Sequence, residues 1–438
     1  MSACNRGWAV VAAMVVLVAV LGAVTVARFH IWAEIDEQAH YALVQSVAQQ
    51  HRWPKATDYV SPQVQAISDH TYPRPSTRTP AQVGLAGRTY EAQQPPLYYL
   101  AAAIPFELVG NYRSKVFAVR AFDLLLLLAG VLLLIALARE LYADDRDVAP
   151  VAAAGALLVV LWPGFVVRAV TISNSALEFP MAIAFLLVLW RTWRAPSVRA
   201  FAFTGLLFGL CLLTKPTLLY LGTPFLIVLI SVLRGAPRER VMRDGGAALA
   251  IPALLVLAWV ISNLAAFGTL TQTSAAIDLS RPYLYPNGAP SFGWSVIHNQ
   301  LNFLSQAVLP QEWQAQFDVT WVHVAALALL IALGLGALWV AARAADRRLW
   351  FVLSPVLTGL VFMVGVLVFG RFDSFPPRYL YAVLPPLAMV VAVWVWRAFP
   401  RRIAQAGFAI YLVALGLLWA KGAAAYWFVN FGHRIGLS

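Results

Sequence analysis

The run Trp8-Ala-Val-Val-Ala-Ala-Met-Val-Val-Leu-Val-Ala-Val-Leu-Gly-Ala-Val-Thr-Val-Ala27 carries no charge and follows Arg6. It has the length, about 20 residues, that a helix needs to cross a bilayer. Its end, Thr25-Val26-Ala27, loosely resembles a signal-peptide cleavage site. The full spanning length instead predicts a retained anchor with its N-terminus inside. The rest of the chain has the same character. Of 438 residues, 61% are hydrophobic and only 12% charged, where a soluble globular chain has about 25% charged. The mean hydropathy is +0.72. So few charges cannot cover a water-soluble surface, and the chain reads as an all-α polytopic membrane protein, one integral domain over 1–438.

Further apolar runs predict spans at 119–138, 148–167, 171–190, 197–214, 217–233, 246–265, 322–342, 350–369, 379–396 and 403–420. With the first, that makes roughly eleven crossings. The stretch 197–233 is too long for one helix at about 1.5 Å per residue. It divides at Thr214-Lys-Pro216, where proline disfavours helix in the residue before it. Two polar stretches remain outside lipid, a large first loop (28–118) and a second loop (266–321). Within the first, Pro95 to Gly110 is apolar but short, which predicts a helix lying on the membrane surface. Cys4 and Cys211 are the only cysteines, and their separation supports neither a disulfide nor a metal framework.

The formal net charge of +12 would suggest nucleic acid in a soluble chain. Loop topology gives it another origin. The loops on the side of Arg6 hold Arg139, Arg146, Arg191, Arg194, Arg199, four arginines over 234–243, three over 343–348, and Arg397, Arg401 and Arg402. With Arg6 they take half of the 32 Lys and Arg residues. The opposite short loops hold far fewer. This is the positive-inside pattern, with N-terminus cytoplasmic and C-terminus outside. Nucleic acid is dropped as a partner. The chemistry is then sought among the charges on the other side, which orientation does not require.

Three features stand out there. Glu34-Ile-Asp-Glu-Gln-Ala-His-Tyr41 places three carboxylates directly after the first span. If it is helical, Asp36 and His40 share a face, as do Glu37 and Tyr41; helix N-terminal charge explains the acids as well. A metal site on Glu37 and His40 would lack ligands, so metal and cofactor stay unknown, with a divalent cation left open. Tyr90-Glu-Ala-Gln-Gln-Pro-Pro-Leu-Tyr-Tyr99 reads as an interfacial turn with tyrosines at headgroup depth. Lys215, Arg371 and Arg378 lie at the outer ends of spans, where a cation either snorkels or holds a lipid phosphate. Arg168, before Thr171-Ile-Ser-Asn-Ser-Ala-Leu-Glu178, completes the outward set. Trp294, Trp313 and Trp321 suit either a sugar platform or an aromatic belt.

In this order the motifs resemble those of the polytopic GT-C glycosyltransferases, which use polyprenyl-phosphate-linked sugars. That group includes the protein O-mannosyltransferases and the aminoarabinose transferases that modify lipid A. Ile35-Asp-Glu-Gln-Ala-His-Tyr41 is similar to their first-loop acidic motif, and Gln94-Pro-Pro-Leu-Tyr98 to their His-Pro-Pro-Leu segment, with Gln94 where histidine or lysine is common. Leu213-Thr-Lys-Pro-Thr217 is similar to their Leu-Thr-Lys turn, and Pro377-Arg-Tyr-Leu-Tyr-Ala-Val-Leu-Pro-Pro386 to their late Arg-Tyr motif. One position departs: Ser175 stands where the group often has a second aspartate, and Glu178 is the acid at hand to replace it.

The resemblance implies transfer of a sugar from a polyprenyl-phosphate donor to a hydroxyl of a lipid, glycan or protein acceptor. The transfer takes place with inversion at the outer face of what reads as a bacterial inner membrane, among membrane lipids. A phosphate leaves without protonation, so the reaction needs one base and cations for the developing charge. Asp36 is then the expected base and Glu37 its orienting partner. Lys215, Arg378 and Arg371 are the expected phosphate ligands, with His40 and Tyr379 lining the substrate site. The rival reading is a transporter or lipid-linked-saccharide flippase, which would favour mid-membrane charges and inverted repeats. Neither stands out. A base and a phosphate clamp must span one sugar, so the enzyme reading requires Asp36 within about 15 Å of Lys215 or Arg378.

Overall fold

The computed structural model describes residues 3–29, 31, 32, 36–65, 87–284, 293, 294, 296, 300, 335, 336, 339, 346–369 and 377–434. Among these there is no strand, only an isolated bridge between Tyr59 and Arg88. Helix α1 (Ala3–Arg28) turns into α2 (Glu37–Gln50). A 3-10 turn, Tyr90–Gln93, precedes α3 (Leu97–Glu107). Helix α4 (Tyr112–Leu141) starts earlier than the hydropathy predicts, because the Asn111 side chain caps the Ser114 amide at 2.9 Å. Then come α5 (Ala149–Val160), α6 (Pro163–Val170), α7 (Ser175–Arg194) and α8 (Val198–Thr214). A 3-10 turn, Pro216–Leu221, leads to α9 (Gly222–Leu233), α10 (Gly246–Phe267) and α11 (Thr273–Leu284). The last elements are α12 (Arg347–Phe369), a 3-10 turn (Pro377–Leu380), α13 (Leu384–Ala398) and α14 (Arg401–Arg434).

Among the described residues, seven helices are long and apolar enough to cross a membrane, or eight if one bent pair counts as a span. Helices α8 and α13 are shorter but coincide with the predicted spans 197–214 and 379–396. The predicted span 322–342, most of the 266–321 loop, Arg371, Trp313 and Trp321 lie outside the described residues. The count of roughly eleven therefore stands against seven or eight full-length spans. One span differs in kind. The predicted 148–167 is broken into α5 and α6, which meet at 75°. Pro163 forces Trp162 out of the helical region, to φ −60° and ψ 134°. The break predicted at Pro216 is present, with Lys215 extended at φ −159° and ψ 127°.

Helix α7 lies at the centre of the bundle: 72% of its most apolar window is buried, against 6% for α14. Small residues allow the closest approaches. A Cβ on Gly155 of α5 would run into the Ala392 Cβ and lie 3.0 Å from the Ala388 carbonyl oxygen of α13. This is the packing expected where apolar lipid gives helices no hydrophobic reason to associate. Outward faces carry Val16, Leu125, Leu254, Val361 and Ile410, all well exposed. One end of the bundle gathers residues of the arginine-rich loops. There Arg139 covers the Trp8 ring, Arg348 covers Tyr142, Arg191 pairs with Glu140 and Arg397 pairs with Asp145.

The first loop has an apolar core of its own. Trp32, Tyr41, Tyr98, Tyr99 and Phe106 are fully buried and pack with Val116 and Val119 at the start of α4. A buried ion pair holds this layer to the bundle. Arg120 of α4 donates from Nε to Glu37 Oε1 (2.7 Å) and from Nη2 to Glu37 Oε2 (2.6 Å), both side chains being wholly inaccessible. Arg120 also donates to the Phe29 carbonyl (2.8 Å), while Glu37 accepts from the amides of Trp32 (3.0 Å) and Ile172 (3.2 Å). A pair this deep offsets its desolvation only when the remaining lone pairs and protons also find partners. Replacing Arg120 by Leu strands the Glu37 charge. We expect Arg120→Leu to cost about 3–5 kcal/mol, and the double variant with Glu37→Leu to recover much of that loss, read by unfolding in detergent.

Candidate active site

Asp36 ends the turn that the ion pair fixes. Its backbone is left-handed (φ 69°, ψ −6°), and its side chain makes no helix-capping bond. Helical pairing begins at once, since the His40 amide donates to the Asp36 carbonyl at 2.9 Å. The carboxylate is therefore left for other partners. Oδ1 accepts from the Tyr90 hydroxyl at 2.6 Å, and Oδ2 from Arg378 Nη2 at 3.1 Å. The first loop and the late 3-10 turn thus meet across 342 residues of chain. The separation required of a base and a phosphate clamp is met by direct contact.

Glu37 is a different case. It was expected beside Asp36 in the chemistry, but its carboxylate is enclosed by Arg120 and two backbone amides, with no exposed surface. It can act on Asp36 only by fixing the backbone. His40 is buried, its Nδ1 lying 2.7 Å from the Tyr99 hydroxyl. Burial, then the fields of Arg168, Lys215 and Arg378, hold its pKa well below the usual imidazole range, so it is neutral at pH 7. Lys215 is also committed. Its Nζ donates to Glu178 Oε2 at 2.6 Å and to Ser175 Oγ at 3.0 Å, and lies 4.7 Å from the centre of the Tyr379 ring. Tyr379 stands between Lys215 and Arg378, whose guanidinium is 5.7 Å from the same ring centre.

Beside these groups is a narrow cleft lined by Arg168, Ser175, Glu178 and Arg378 with Phe165, Phe179 and Tyr381. The α5–α6 break brings Arg168 here, since an unbroken helix would carry it away along the α5 axis. Among the described residues no three His, Cys, Asp or Glu side chains gather as a metal site.

The sequence reading passed over one further acid. Glu91 is buried in the Tyr90–Gln93 turn. Its Oε2 accepts from Gln94 Nε2 at 2.8 Å, and Gln94 Oε1 accepts from Asn174 Nδ2 at 3.0 Å. Burial and the nearby Asp36 carboxylate push its pKa up to about 7, against the opposing effects of Gln94, Arg378 and Arg168. The available signal was a lone acid directly before Gln-Gln-Pro-Pro. A raised carboxyl pKa has a consequence for folding. Between the usual 4.5 and about 7 the folded state binds the Glu91 proton more tightly than the unfolded chain does, so stability falls as pH rises through that window. Glu91→Gln removes the penalty. Its melting temperature should exceed the native value near about pH 8, and the gap should close by about pH 5, as measured by thermal unfolding.

Residues 93–264 match the family model described as dolichyl-phosphate-mannose-protein mannosyltransferase. No curated protein matches the sequence. Among solved structures, ArnT from Cupriavidus metallidurans bound to undecaprenyl phosphate is similar with a TM-score of 0.54 and 17% identity, over 96% of this chain and 64% of that one. The apo oligosaccharyltransferase of Archaeoglobus fulgidus is similar with a TM-score of 0.51 and 15% identity, over 95% of this chain and 55% of that one. The chain spans less than two thirds of the length of either protein and shares their fold.

Proposed function

We propose that this member of the GT-C superfamily transfers a sugar from a polyprenyl-phosphate donor to an acceptor hydroxyl, with Asp36 as general base. The carrying observation is the contact of Asp36 with Arg378, which lines a cleft together with Arg168. In the step itself, the acceptor oxygen forms a bond to the anomeric carbon while its proton passes to Asp36. The bond from that carbon to the phosphate oxygen breaks, and the electron pair leaves with the phosphate. Guanidinium groups suit that developing charge, because they present fixed donors to phosphate oxygens. Attack from the face opposite the leaving group inverts the anomeric centre.

The cations divide unevenly. Arg378 and Arg168 line the cleft, whereas Lys215 neutralises Glu178 and supports the Tyr379 ring. Lys215 joins the phosphate site only by exchanging Glu178 for it. The undecaprenyl phosphate in the ArnT complex supports a lipid-phosphate donor here. The basic loops at the opposite end of the bundle support placement of the reaction at the outer face.

The test is transfer in membranes supplied with labelled undecaprenyl-phosphate sugars. Asp36→Asn should lower the rate by about 10²–10⁴-fold at normal expression, the usual range for loss of a positioned base. Arg378→Met should lower the rate and weaken donor binding together. Transfer unchanged in Asp36→Asn overturns the assignment of the base.

A further inference from the structure

Glu178 lines the cleft together with Arg168 and Arg378, yet its carboxylate is taken by a third cation. Glu178 Oε2 accepts from Lys215 Nζ at 2.6 Å, and Glu178 Oε1 accepts from the Tyr220 hydroxyl at 3.5 Å. Ser175, one turn earlier on α7, accepts from the same ammonium at 3.0 Å. Both side chains of the ion pair are almost wholly buried. Lys215 itself is not part of the cleft lining. The backbone around the pair is fixed as well. The Lys215 amide donates to the Cys211 carbonyl at 3.0 Å, and Asn174 Nδ2 donates to the Thr214 carbonyl at 3.3 Å. The segments carrying Ser175 and Lys215 are thus tied together at the residues directly before them.

The charge of the phosphate changes during the proposed transfer. The donor is a phosphodiester with one negative charge. When the bond to the anomeric carbon breaks, its electron pair stays on the phosphate oxygen. The spent carrier is then a monoester with close to two negative charges at neutral pH. Every cation at the cleft attracts that product more strongly than it attracts the donor. Bond breaking gains from this, but release of the carrier is slowed by it. A third cation open to the phosphate would strengthen the hold on the product most. Glu178 occupies that cation. A phosphate can take Lys215 only by displacing Glu178, which would leave a buried carboxylate without its counter-charge.

We propose that Glu178 is a specificity-determining residue: by holding Lys215 it limits the cleft to Arg168 and Arg378, and so weakens the hold on the spent polyprenyl phosphate relative to the phosphodiester donor. The inference rests on the reading of this cleft as the donor's phosphate site. Ser175 fits the same role, since it bonds Lys215 without adding charge. On the other side Arg378 faces Asp36 at 3.1 Å, so there too a carboxylate offsets part of a cation's field. The spent carrier then leaves instead of blocking the next donor.

The test measures binding of two lipids to the purified full chain in nanodiscs, at about pH 8, where a phosphate monoester is doubly charged. The lipids are undecaprenyl phosphate, a monoester, and its methyl ester, a diester. Glu178→Gln keeps an acceptor for Lys215 but removes the charge. It should tighten the monoester about tenfold more than the diester, because the uncovered ammonium acts on two charges instead of one. Glu178→Leu combined with Lys215→Met is neutral overall, like the native pair, and should return the ratio of the two dissociation constants to its native value. Ser175→Asp adds an acid beside the same ammonium and should shift the ratio the opposite way, so the test does not depend on how well Glu178→Gln folds. A merely structural role would change both affinities in the same proportion. A native ratio in Glu178→Gln and in Ser175→Asp overturns the proposal, and so does a double variant that binds the monoester as tightly as Glu178→Gln. If neither lipid binds the native protein, the donor reading fails instead, and binding read without turnover separates that failure from this one.

Discussion

The ion pair between Glu37 and Arg120 is the constraint on which the site depends. It joins the exit of α1, the first turn of α2, the body of α4 and the approach to α7 through one set of charge-assisted hydrogen bonds. With the backbone pinned on both sides, Asp36 is held in a left-handed conformation that an aspartate tolerates better than most residues. Its side chain then has no helix end to cap. Two adjacent acids have opposite fates for that reason: one is enclosed and supports the backbone, the other stays open to partners brought from elsewhere. Removing water from around Glu37 makes its partner indispensable, while the Asp36 carboxylate keeps some exposed surface.

A second buried pair shapes the cleft wall. Ser175 carries no charge, and the negative charge appears one helical turn later at Glu178. From there it meets Lys215 and leaves Ser175 to donate or accept beside it. The pair contributes little net field to the cleft. The charges that remain are two arginines on two separate elements and two carboxylates on the loop side. An anion entering there would meet guanidinium groups held at the end of α6 and in the turn before α13.

Much of this was legible in the chain and some was not, for reasons that can be named. Hydropathy located the spans because each is a continuous apolar run. The same averaging hid the α5–α6 bend, since Trp162 and Pro163 break the helix but are too few to pull down the average of the apolar run around them. Asp36 and Arg378 could be singled out because both lie in local motifs outside the arginine-rich loops, and the fold brings their side chains together. The role of Glu37 was not legible: its partner Arg120 is 83 residues away, at the start of the predicted span 119–138. Lys215 was read as snorkelling or holding a phosphate, because its neutralising acid sits on a neighbouring helix and helix contacts are not written in either local sequence. Glu91 was in plain view within the double-proline segment. Its neighbours suggested an interfacial turn, and only the fold brings it beside Asp36.

The span of chain between Asp36 and Arg378 also bears on how the protein is made. The loop bearing the carboxylate emerges just after α1, whereas Arg378 is made 342 residues later, after α12. A nascent chain, assembled from the N-terminus, therefore carries Asp36 without Arg378 opposite it until the turn before α13 is made. A chain truncated before that turn would keep α1 and the Glu37–Arg120 pair, and would lack the cation that faces Asp36.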